Sequence, residues 1–384
     1  MPGSIHIIFV IAVCFSVASI AYCLLCIWAG VRFARWRTTP SVANADLPPI
    51  SILKPLKGSD PQMYEALRSH CLQDYPGYEI LFGVSSAGDP AAALANKLIA
   101  EFPARTIKLV LCEKRLGSNG KVSTLAQLLP LAEYELLLIN DGDIRVEPDY
   151  LRTLTNELLR PGIGMVTCLY RGVPAATLPS KIEALSISTD FAAGVLAART
   201  VERGLNFGLG STLAFRRGDF EKFGGFASIA DYLADDYELG RRIAELGKKV
   251  ELSRIVVETH LPAYGWRDFF LHQLRWARTI RASRPGGYAG LVVTFTLPWA
   301  LVAYLLKPQA WTGPLLVAAI LARYMMAAIC AGSVLKDRRS TQNFWLLPLR
   351  DFLAVAIWIG GLFGRKIAWR GERFTLKNGK LISS

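Results

Sequence analysis

Long apolar runs without charge lie near both ends of the chain. Residues 7–31 contain no charged side chain, and about 20 apolar residues in a helix are enough to cross the hydrocarbon core of a bilayer. Residues 286–306 form a second uncharged run, and residues 311–335 form a third that only Arg323 interrupts. We therefore predict three membrane-spanning helices. A charge inside a span usually faces a protein partner, a cavity or the headgroups, and the sequence does not identify the partner of Arg323.

A fourth apolar run and the basic residues complete the predicted topology. Residues 352–364 are too few for a full crossing, so the segment 344–364 is predicted to be interfacial or re-entrant. Lysine and arginine beside a span favour the cytoplasmic side. Such residues follow the first and third runs and fill the tail; they are Arg32, Arg35, Arg37, Lys336, Arg338, Arg339, Arg365, Lys366, Arg370, Arg373, Lys377 and Lys380. We predict an N-terminal helix with its basic flank in residues 1–37, and a C-terminal membrane region with a basic cytoplasmic tail in residues 286–384.

Between the apolar ends, the pattern is that of an α/β domain over residues 48–285, preceded by a polar linker at residues 38–49. Short apolar runs typical of buried strands alternate with helical patterns. The predicted strands are 50–53, 78–84, 107–111 and 136–139, and the predicted helices are 61–72, 90–102 and 121–131. This alternation predicts a mostly parallel sheet with right-handed crossovers, whose ligands bind beyond the carboxyl ends of the strands.

The composition agrees with a membrane protein and excludes a disordered one. The chain of 384 residues is 52% hydrophobic and 20% charged, with a formal net charge of +13. Cys23 and Cys26 have the spacing of metal ligands, but no partner pair accompanies them, and their apolar surroundings favour packing. The basic charge also fits a non-catalytic binding protein. No aromatic stacking surface or helix-turn-helix pattern accompanies it, so we expect no nucleic-acid partner.

Two carboxylates follow the predicted strand 136–139. Asp141 and Asp143 are separated by Gly142, which allows close backbone approach. At the carboxyl end of a buried strand, they are suited to hold one hard divalent cation, with a diphosphate supplying further oxygens. The alternative is an ordinary turn, because Asp and Gly are frequent turn residues.

A second acidic pair, Asp235 and Asp236, opens a predicted helix. Acidic residues in a first turn are favoured by the helix dipole, which is the structural interpretation. The functional interpretation makes one carboxylate a general base that withdraws the proton of an attacking hydroxyl, while the other positions it.

A basic segment precedes the second apolar run. Arg275, Arg278 and Arg281 recur at a spacing of three, typical of a juxtamembrane helix attracted to anionic lipids. The alternative places Arg275 on a phosphate leaving group and Trp276 at the wall of an acceptor pocket.

Taken in order, Asp89, Asp141, Asp236 and the pair Arg275–Trp276 resemble the D, D, D, (Q/R)xxRW pattern of the ceramide glucosyltransferase family, within the family-2-like GT-A glycosyltransferases. The resemblance covers residues 50–280 and includes the motifs at 73–76, 117–121 and 369–371. The bacterial hopanoid-associated glycosyltransferases are similar at residues 166–171 and 274–281. The resemblance implies a GT-A type, Rossmann-like sheet domain between N-terminal and C-terminal transmembrane helices.

The resemblance also implies roles for the matching residues. Asp89 lies near the uracil of a UDP-sugar, Asp141 and Asp143 hold Mn²⁺ or Mg²⁺ on its diphosphate, and Lys121 contacts the nucleotide. Asp236 is the catalytic base, with Asp235 beside it. Arg275 and Trp276 contact the diphosphate and the acceptor mouth. His272 is on the acceptor side, where the family pattern has Gln or Arg.

The implied activity is inverting transfer of glucose or N-acetylglucosamine from a UDP-sugar to the hydroxyl of a membrane lipid of the ceramide or hopanoid type. No covalent enzyme intermediate is needed, because the protein positions the reactants and stabilises the leaving group. The implied location is the bacterial inner membrane, with the catalytic domain in the cytoplasm. Two alternatives stay open, a processive polysaccharide synthase of the same superfamily and a non-catalytic, basic, membrane-anchored binding protein.

Overall fold

The structure is a computed structural model that describes residues 2–35, 47–369 and 372–383. The helices in chain order are α1 Pro2–Ala34, α2 Met63–Cys71, α3 Pro90–Glu101, α4 Gly120–Leu128, α5 Tyr150–Leu158, α6 Leu178–Ser186, α7 Ala192–Val201, α8 Arg217–Glu221, α9 Asp235–Glu245, α10 Trp266–Ser283, α11 Pro285–Gly290, α12 Thr296–Leu306, α13 Thr312–Ala327, α14 Arg338–Thr341 and α15 Leu347–Leu362. The strands are β1 Ile50–Leu56, β2 Tyr78–Val84, β3 Thr106–Leu111, β4 Leu136–Ile139, β5 Ile144–Arg145, β6 Ile163–Val173, β7 Leu213–Arg216, β8 Lys249–His260, β9 Lys366–Trp369, β10 Glu372–Lys377 and β11 Lys380–Ser383.

The chain forms two compact units that alternate along the sequence. The first combines α1 with Gly172–Val201 and Ala263–Ala368, and the second combines the residues from β1 to Arg171 with Glu202–Pro262 and the C-terminal hairpin β10–β11. The range 48–285 stays a prediction of domain boundaries; within it, residues 172–201 and 263–285 belong to the unit that contains the apolar helices. Residues 38–46 of the predicted linker and Arg37 of the basic flank lie outside the described residues.

The second unit is built on an eight-stranded sheet in the order β3-β2-β1-β4-β7-β6-β8-β5. Strands β3, β2, β1 and β4 are parallel, with Ile50 of β1 beside Tyr78 of β2 and Leu136 of β4. The pairs β4–β7, β6–β7 and β5–β8 are antiparallel. All four predicted strands are present and parallel, so the predicted α/β fold is confirmed. The chain reverses its direction of winding between β1 and β4, which is where ligands bind in sheets of this kind.

Three of the predicted strands are buried and one is not. Every residue of β2 and β4 is buried, and their apolar side chains share a core with α2, α3 and α5. Strand β3 was predicted to be buried, but Thr106, Lys108 and Leu111 are exposed. The reason is its position at the edge of the sheet. A lysine on an edge strand discourages pairing with another chain.

The first unit contains three helical segments long and apolar enough to cross a membrane, namely Ser4–Ala34, Thr312–Val334 and Phe344–Leu362. The run predicted as the second span is a pair of helical segments, Pro285–Thr294 and Thr296–Leu306, bent by 53°, which together form either one broken span or a re-entrant loop. Pro298 explains the break, because it lacks the N–H that a continuous helix would bond to the carbonyl of Thr294.

Segment 344–364, predicted to be interfacial or re-entrant, contains the helical stretch Phe344–Leu362, which has the length and composition of a spanning helix. The sequence-based interpretation ended the apolar run at Arg350 and Asp351, yet α15 continues through both residues. Asp351 is buried and bonds Arg323 of α13. Charges that neutralise each other inside the unit are tolerated in an apolar helix at much lower cost than unpaired charges.

The partner of Arg323 is therefore an ion-pair cluster within the first unit. Arg323 is 1% exposed, with its Nη2 2.8 Å from Asp351 Oδ1 and 3.2 Å from Asp190 Oδ1. Arg350 Nη1 lies 2.8 Å from the same oxygen of Asp190. Two arginines and two aspartates thus balance in charge, which offsets the high cost of placing any one of them in apolar surroundings.

Replacing Arg323 with Met is expected to destabilise the folded protein by about 3–5 kcal/mol, because Asp351 is left buried without its main partner. The measurement is thermal unfolding of the purified protein in detergent. Arg338→Met, at an exposed position on α14, is the control and should leave the midpoint unchanged. The double variant Arg323→Met/Asp351→Leu should recover part of the loss; a single variant as stable as the unmodified protein would contradict the ion-pair account.

Candidate active site

The turn after β4 is held in place by buried polar side chains. Asn140 is fully buried, with its Nδ2 2.9 Å from His70 Nε2 and 3.3 Å from Tyr150 Oη. Lys54 of β1, also fully buried, donates a hydrogen bond of 3.0 Å to the carbonyl oxygen of Asp141. Burial lowers the pKa of Lys54 to about 7, against the opposing attraction of Asp143 and Asp141. These contacts fix the backbone that carries the first acidic pair.

Asp141 and Asp143 differ in their surroundings. The Asp141 side chain is 44% exposed, and its Oδ1 lies 2.8 Å from Lys121 Nζ. Asp143 Oδ2 accepts a hydrogen bond from the hydroxyl of Thr259 on β8. Burial, together with repulsion from Asp141, raises the pKa of Asp143 above its ordinary value. A divalent cation bound at the pair would relieve that repulsion.

Lys121 links the two acidic loops. Its Nζ lies 2.8 Å from Asp141 Oδ1 and 3.1 Å from Asp235 Oδ2, and only 14% of its side chain is exposed. The residue occupies the first turn of α4, two residues after Asn119, whose side chain caps that helix and also approaches Asp235. Burial disfavours the ammonium, but the surrounding carboxylates of Asp141, Asp235 and Asp236 outweigh it and raise the pKa of Lys121.

Asp236 is held by backbone groups on both sides of its carboxylate. Its Oδ2 accepts from the Gly210 N–H at 2.8 Å, and its Oδ1 accepts from the Tyr237 N–H at 2.8 Å. A Cβ added at Gly210 would lie 3.1 Å from Asp141 Oδ2 and 3.2 Å from Asp236 Oδ2. The carboxylates of Asp141 and Asp236 therefore face each other across a glycine. Burial and the neighbouring Asp235 raise the pKa of Asp236 to about 6, against the lowering effect of Lys121.

The other sequence-predicted residues lie elsewhere in the fold. Asp89 caps α3, and its Oδ1 accepts from the Ala91 N–H at 2.9 Å and from the Gly58 N–H at 2.8 Å, which ties α3 to the loop after β1. His272, Arg275 and Trp276 are on α10, in the first compact unit. The structure thus brings Lys121, Asp141, Asp143, Asp235 and Asp236 together in the second unit. Asp89 lies in the same unit at the start of α3, and His272, Arg275 and Trp276 lie on one helix of the first unit.

The C-terminal tail has a structural role that the sequence analysis missed. Strands β10 and β11 form an antiparallel hairpin, and it pairs with the loop before α9: the Leu233 N–H donates to the Gly379 carbonyl at 3.1 Å, and the Leu381 N–H donates to the Asp231 carbonyl at 2.7 Å. The tail therefore braces the segment that leads to Asp235. A signal was available, because Asn378–Gly379 is a strong hairpin turn and Phe374 and Leu376 alternate with polar residues.

No set of three or more His, Cys, Asp or Glu side chains among the described residues is arranged to hold a metal ion. Asp141 and Asp143 provide two carboxylates, and burial together with repulsion from Asp141 raises the pKa of Asp143. Hard cations such as Mg²⁺ and Mn²⁺ accept carboxylate and phosphate oxygens together. The site therefore fits a cation whose other ligands come from a bound diphosphate.

The parallel strands β1 to β4, followed by the antiparallel β7 and β6, form a sheet of the GT-A type. The chain belongs to glycosyl transferase family 21, whose family model matches residues 10–382. This confirms the resemblance to the ceramide glucosyltransferases and the assignment as an enzyme.

Similar proteins agree with this family. Ceramide glucosyltransferase 3 of Caenorhabditis elegans is 23% identical over 368 residues, which cover 92% of this chain and 78% of that protein. Ceramide glucosyltransferase 1 of the same organism is 24% identical over 347 residues, covering 88% and 73%. The mannosyltransferase PcManGT from Pyrobaculum calidifontis, solved with GDP-Man and Mn²⁺, has a TM-score of 0.56 and 22% identity, covering 92% of this chain and 97% of that one. At this identity the likeness shows the fold alone.

The geometry around Gly210 predicts a sharp effect of a single methyl group. Gly210→Ala would insert a Cβ 3.1 Å from Asp141 Oδ2 and 3.2 Å from Asp236 Oδ2, so the carboxylates must shift. We expect a loss of sugar transfer of about 100-fold or more, since small displacements of reacting groups are costly. Gly120→Ala is the matched control, because a Cβ there meets nothing within 4 Å. Equal activity of the two variants would show that the carboxylates do not act at this place.

Proposed function

We propose that the protein transfers one sugar from a UDP-sugar to a hydroxyl of a membrane lipid, with inversion at the sugar carbon. The observation that carries this proposal is the convergence of Asp141 and Asp236 across Gly210, with Lys121 between Asp141 and Asp235. The named activity of the ceramide glucosyltransferase relatives supports a lipid acceptor. The donor sugar is proposed to be glucose or N-acetylglucosamine, and the acceptor a lipid of the ceramide or hopanoid type.

The donor side of the proposed reaction uses the first acidic pair. Asp141 and Asp143 would hold Mn²⁺ or Mg²⁺, which when bound neutralises charge on the leaving diphosphate. Asp89, at the start of α3, is proposed to lie on the uracil side, and Arg275 to contact the diphosphate. Lys121 is proposed as a nucleotide contact. Its ion pairs with Asp141 and Asp235 also hold the segments that carry these two residues close together.

The acceptor side uses Asp236 as the general base. Both carboxylate oxygens of Asp236 accept hydrogen bonds from backbone N–H groups, so the carboxylate is oriented before the acceptor binds. A pKa of about 6 places this base near neutral pH, where a base is both ionised and able to take a proton. Asp235 is engaged with Lys121 and is proposed to position its neighbour. Since the hydroxyl attacks the sugar directly, no covalent enzyme intermediate forms.

The apolar helices of the first unit supply the membrane setting of the proposal. Three of them have the length and composition of spanning helices, and we propose that they hold the acceptor tail at the bilayer. Trp276 and His272 of α10 are proposed to border the acceptor. The basic residues Arg32 and Arg35 beside α1 favour a cytoplasmic position for the chain that follows, which in a bacterium means the inner membrane.

Lipid analysis tests the proposed activity directly. Cells that produce the intact protein should contain a lipid carrying one added hexose or N-acetylhexosamine, detected by mass spectrometry. Asp236→Asn should abolish it, because the amide cannot accept the proton of the hydroxyl. Glu221→Gln, on α8 in the same unit, is the control for expression. Normal glycolipid in the Asp236→Asn cells would remove Asp236 from the role of base, and a series of products with growing glycans would indicate a processive synthase.

The pH profile of transfer tests the assigned base. Asp236 must be ionised to accept a proton, so kcat/KM should rise with pH to a plateau and fall about tenfold per pH unit below its pKa of about 6. Lys121→Met removes a charge that lowers this pKa, so the inflection should move to higher pH. Lys222→Met, whose side chain is 61% exposed, should leave it in place. If the inflection stays at the same pH in Lys121→Met, the titrating group is not Asp236.

A further inference from the structure

A buried acidic side chain in the first compact unit is left without a role by the proposed reaction. Glu183 of α6 is 2% exposed, and its neighbours Ile182 and Leu185 join Phe269 of α10 in an apolar cluster. Burial raises the pKa of Glu183 to about 7, while a hydrogen bond from Gln273 and the charge of Arg275 oppose the rise. A carboxyl group in such surroundings is costly unless it has polar partners.

His272 lies directly beside this carboxyl group. Its Nε2 is 3.4 Å from Glu183 Oε1, and its Nδ1 is 3.4 Å from the hydroxyl of Tyr264. Burial, assisted by Arg275, lowers the pKa of His272 to about 3, so the imidazole is neutral. The ring packs between Tyr264 and Trp276, at centroid distances of 5.6 Å and 5.3 Å. Donation from Tyr264 to Nδ1 would leave the ring hydrogen on Nε2, on the side of Glu183.

Both groups have hydrogen-bonding capacity that the protein does not use. Within the described part of the chain, Glu183 Oε2 and His272 Nε2 are buried atoms that have no hydrogen-bond partner. Buried polar atoms are nearly always satisfied, so a pair of adjacent orphans indicates a site that a ligand completes. The Glu183 side chain is 2% exposed and that of His272 is 25% exposed, so the histidine is the more accessible of the two.

We propose that Glu183 and His272 bind the polar head of the lipid acceptor through a hydroxyl or amide group that does not react. The inference rests on the proposed function, since it assumes a lipid acceptor. A hydroxyl or an amide N–H can donate to Glu183 Oε2, and the hydroxyl or carbonyl oxygen can accept from His272 Nε2. Trp276 and Tyr264 supply the walls of this headgroup site.

The chemistry of the site selects a neutral lipid head over the other molecules in the reaction. The diphosphate of a UDP-sugar would meet the carboxylate of Glu183 at this pair, so the donor is disfavoured there. One carboxylate and one imidazole are too few ligands for a metal ion. Ile182 and Leu185, near Glu183 in the sequence, belong to one apolar cluster with Phe269 and Leu347, which suits a molecule whose head is polar and whose remainder is apolar.

The inference also accounts for the unusual residue at position 272. The family pattern has Gln or Arg there, and His shares with both the ability to donate a hydrogen bond. Glu183 is the acceptor that such a donor would face. Histidine in place of Gln or Arg thus keeps a hydrogen-bond donor toward Glu183 and the ligand, although its side chain has a different length.

The test uses a fluorescent short-chain ceramide and the full-length protein in detergent. Glu183→Leu should weaken equilibrium binding of this probe about tenfold, Glu183→Gln should retain most of it, and the KM for the UDP-sugar should not change. Glu157→Leu is the matched control, because Glu157 is a partly buried glutamate of the second unit whose Oε2 also has no partner among the described residues. Unfolding midpoints identify a variant that fails to fold. If Glu183→Leu fails to fold, His272→Phe replaces it, and its binding of the fluorescent ceramide should be weakened in the same way.

A ligand change separates recognition from a merely structural role. Methylating the non-reacting hydroxyl of the ceramide should weaken binding to the unmodified protein, and this penalty should disappear in Glu183→Leu. An equal penalty in both proteins, or a raised KM for the UDP-sugar in Glu183→Leu, would overturn the inference. If the unmodified protein binds the probe but transfers no sugar to any lipid, the proposed function fails, while the binding comparison still decides the headgroup site.

Discussion

The ammonium group of Lys121 is the contact on which the arrangement of the site depends. It pairs with Asp141 from the carboxyl end of β4 and with Asp235 from the start of α9, two segments far apart in sequence. Without it, Asp141, Asp235 and Asp236 would be close, partly buried charges of one sign, which repel strongly at low dielectric. One ammonium does not balance three carboxylates, so the site keeps an excess of negative charge. That excess suits a metal-bound diphosphate and a carboxylate base side by side.

The central part of the fold was predictable because its signals are local. Strands β2 and β4 have the bounds expected from the sequence, since a short buried strand is an uninterrupted apolar run. The prediction that β3 is buried was wrong. Whether a strand lies at the edge of a sheet depends on the order of the strands, and the apolar residues of one strand do not encode that order. The bend before Thr296 was readable in principle from Pro298, whereas the C-terminal hairpin was hidden by basic residues that were interpreted only as a topology signal.

The candidate site also contains some residues that were predictable from local sequence and others that were not. Asp141, Asp143, Asp235 and Asp236 stood out because carboxylates follow strands or open helices in a recognisable pattern. Lys54 and Gly210 did not, because their importance comes from contacts with residues distant in sequence: a buried lysine on the Asp141 carbonyl, and a glycine that leaves room for two carboxylates. Arg323 is similar, since Asp190 and Asp351 pair with it from two other segments of the first unit. Long-range complementarity of charge and shape is what a single sequence does not display.

The proposed reaction requires that one donor molecule is held between Asp141 and Asp236. The most direct measurement is an electron cryomicroscopy structure of the protein with Mn²⁺ and a non-hydrolysable UDP-sugar. The account predicts a cation within about 2.0–2.6 Å of carboxylate oxygens of Asp141 or Asp143, with the sugar carbon facing Asp236. A donor bound away from the carboxyl end of β4, or a sugar on the far side of the sheet from Asp236, would contradict it.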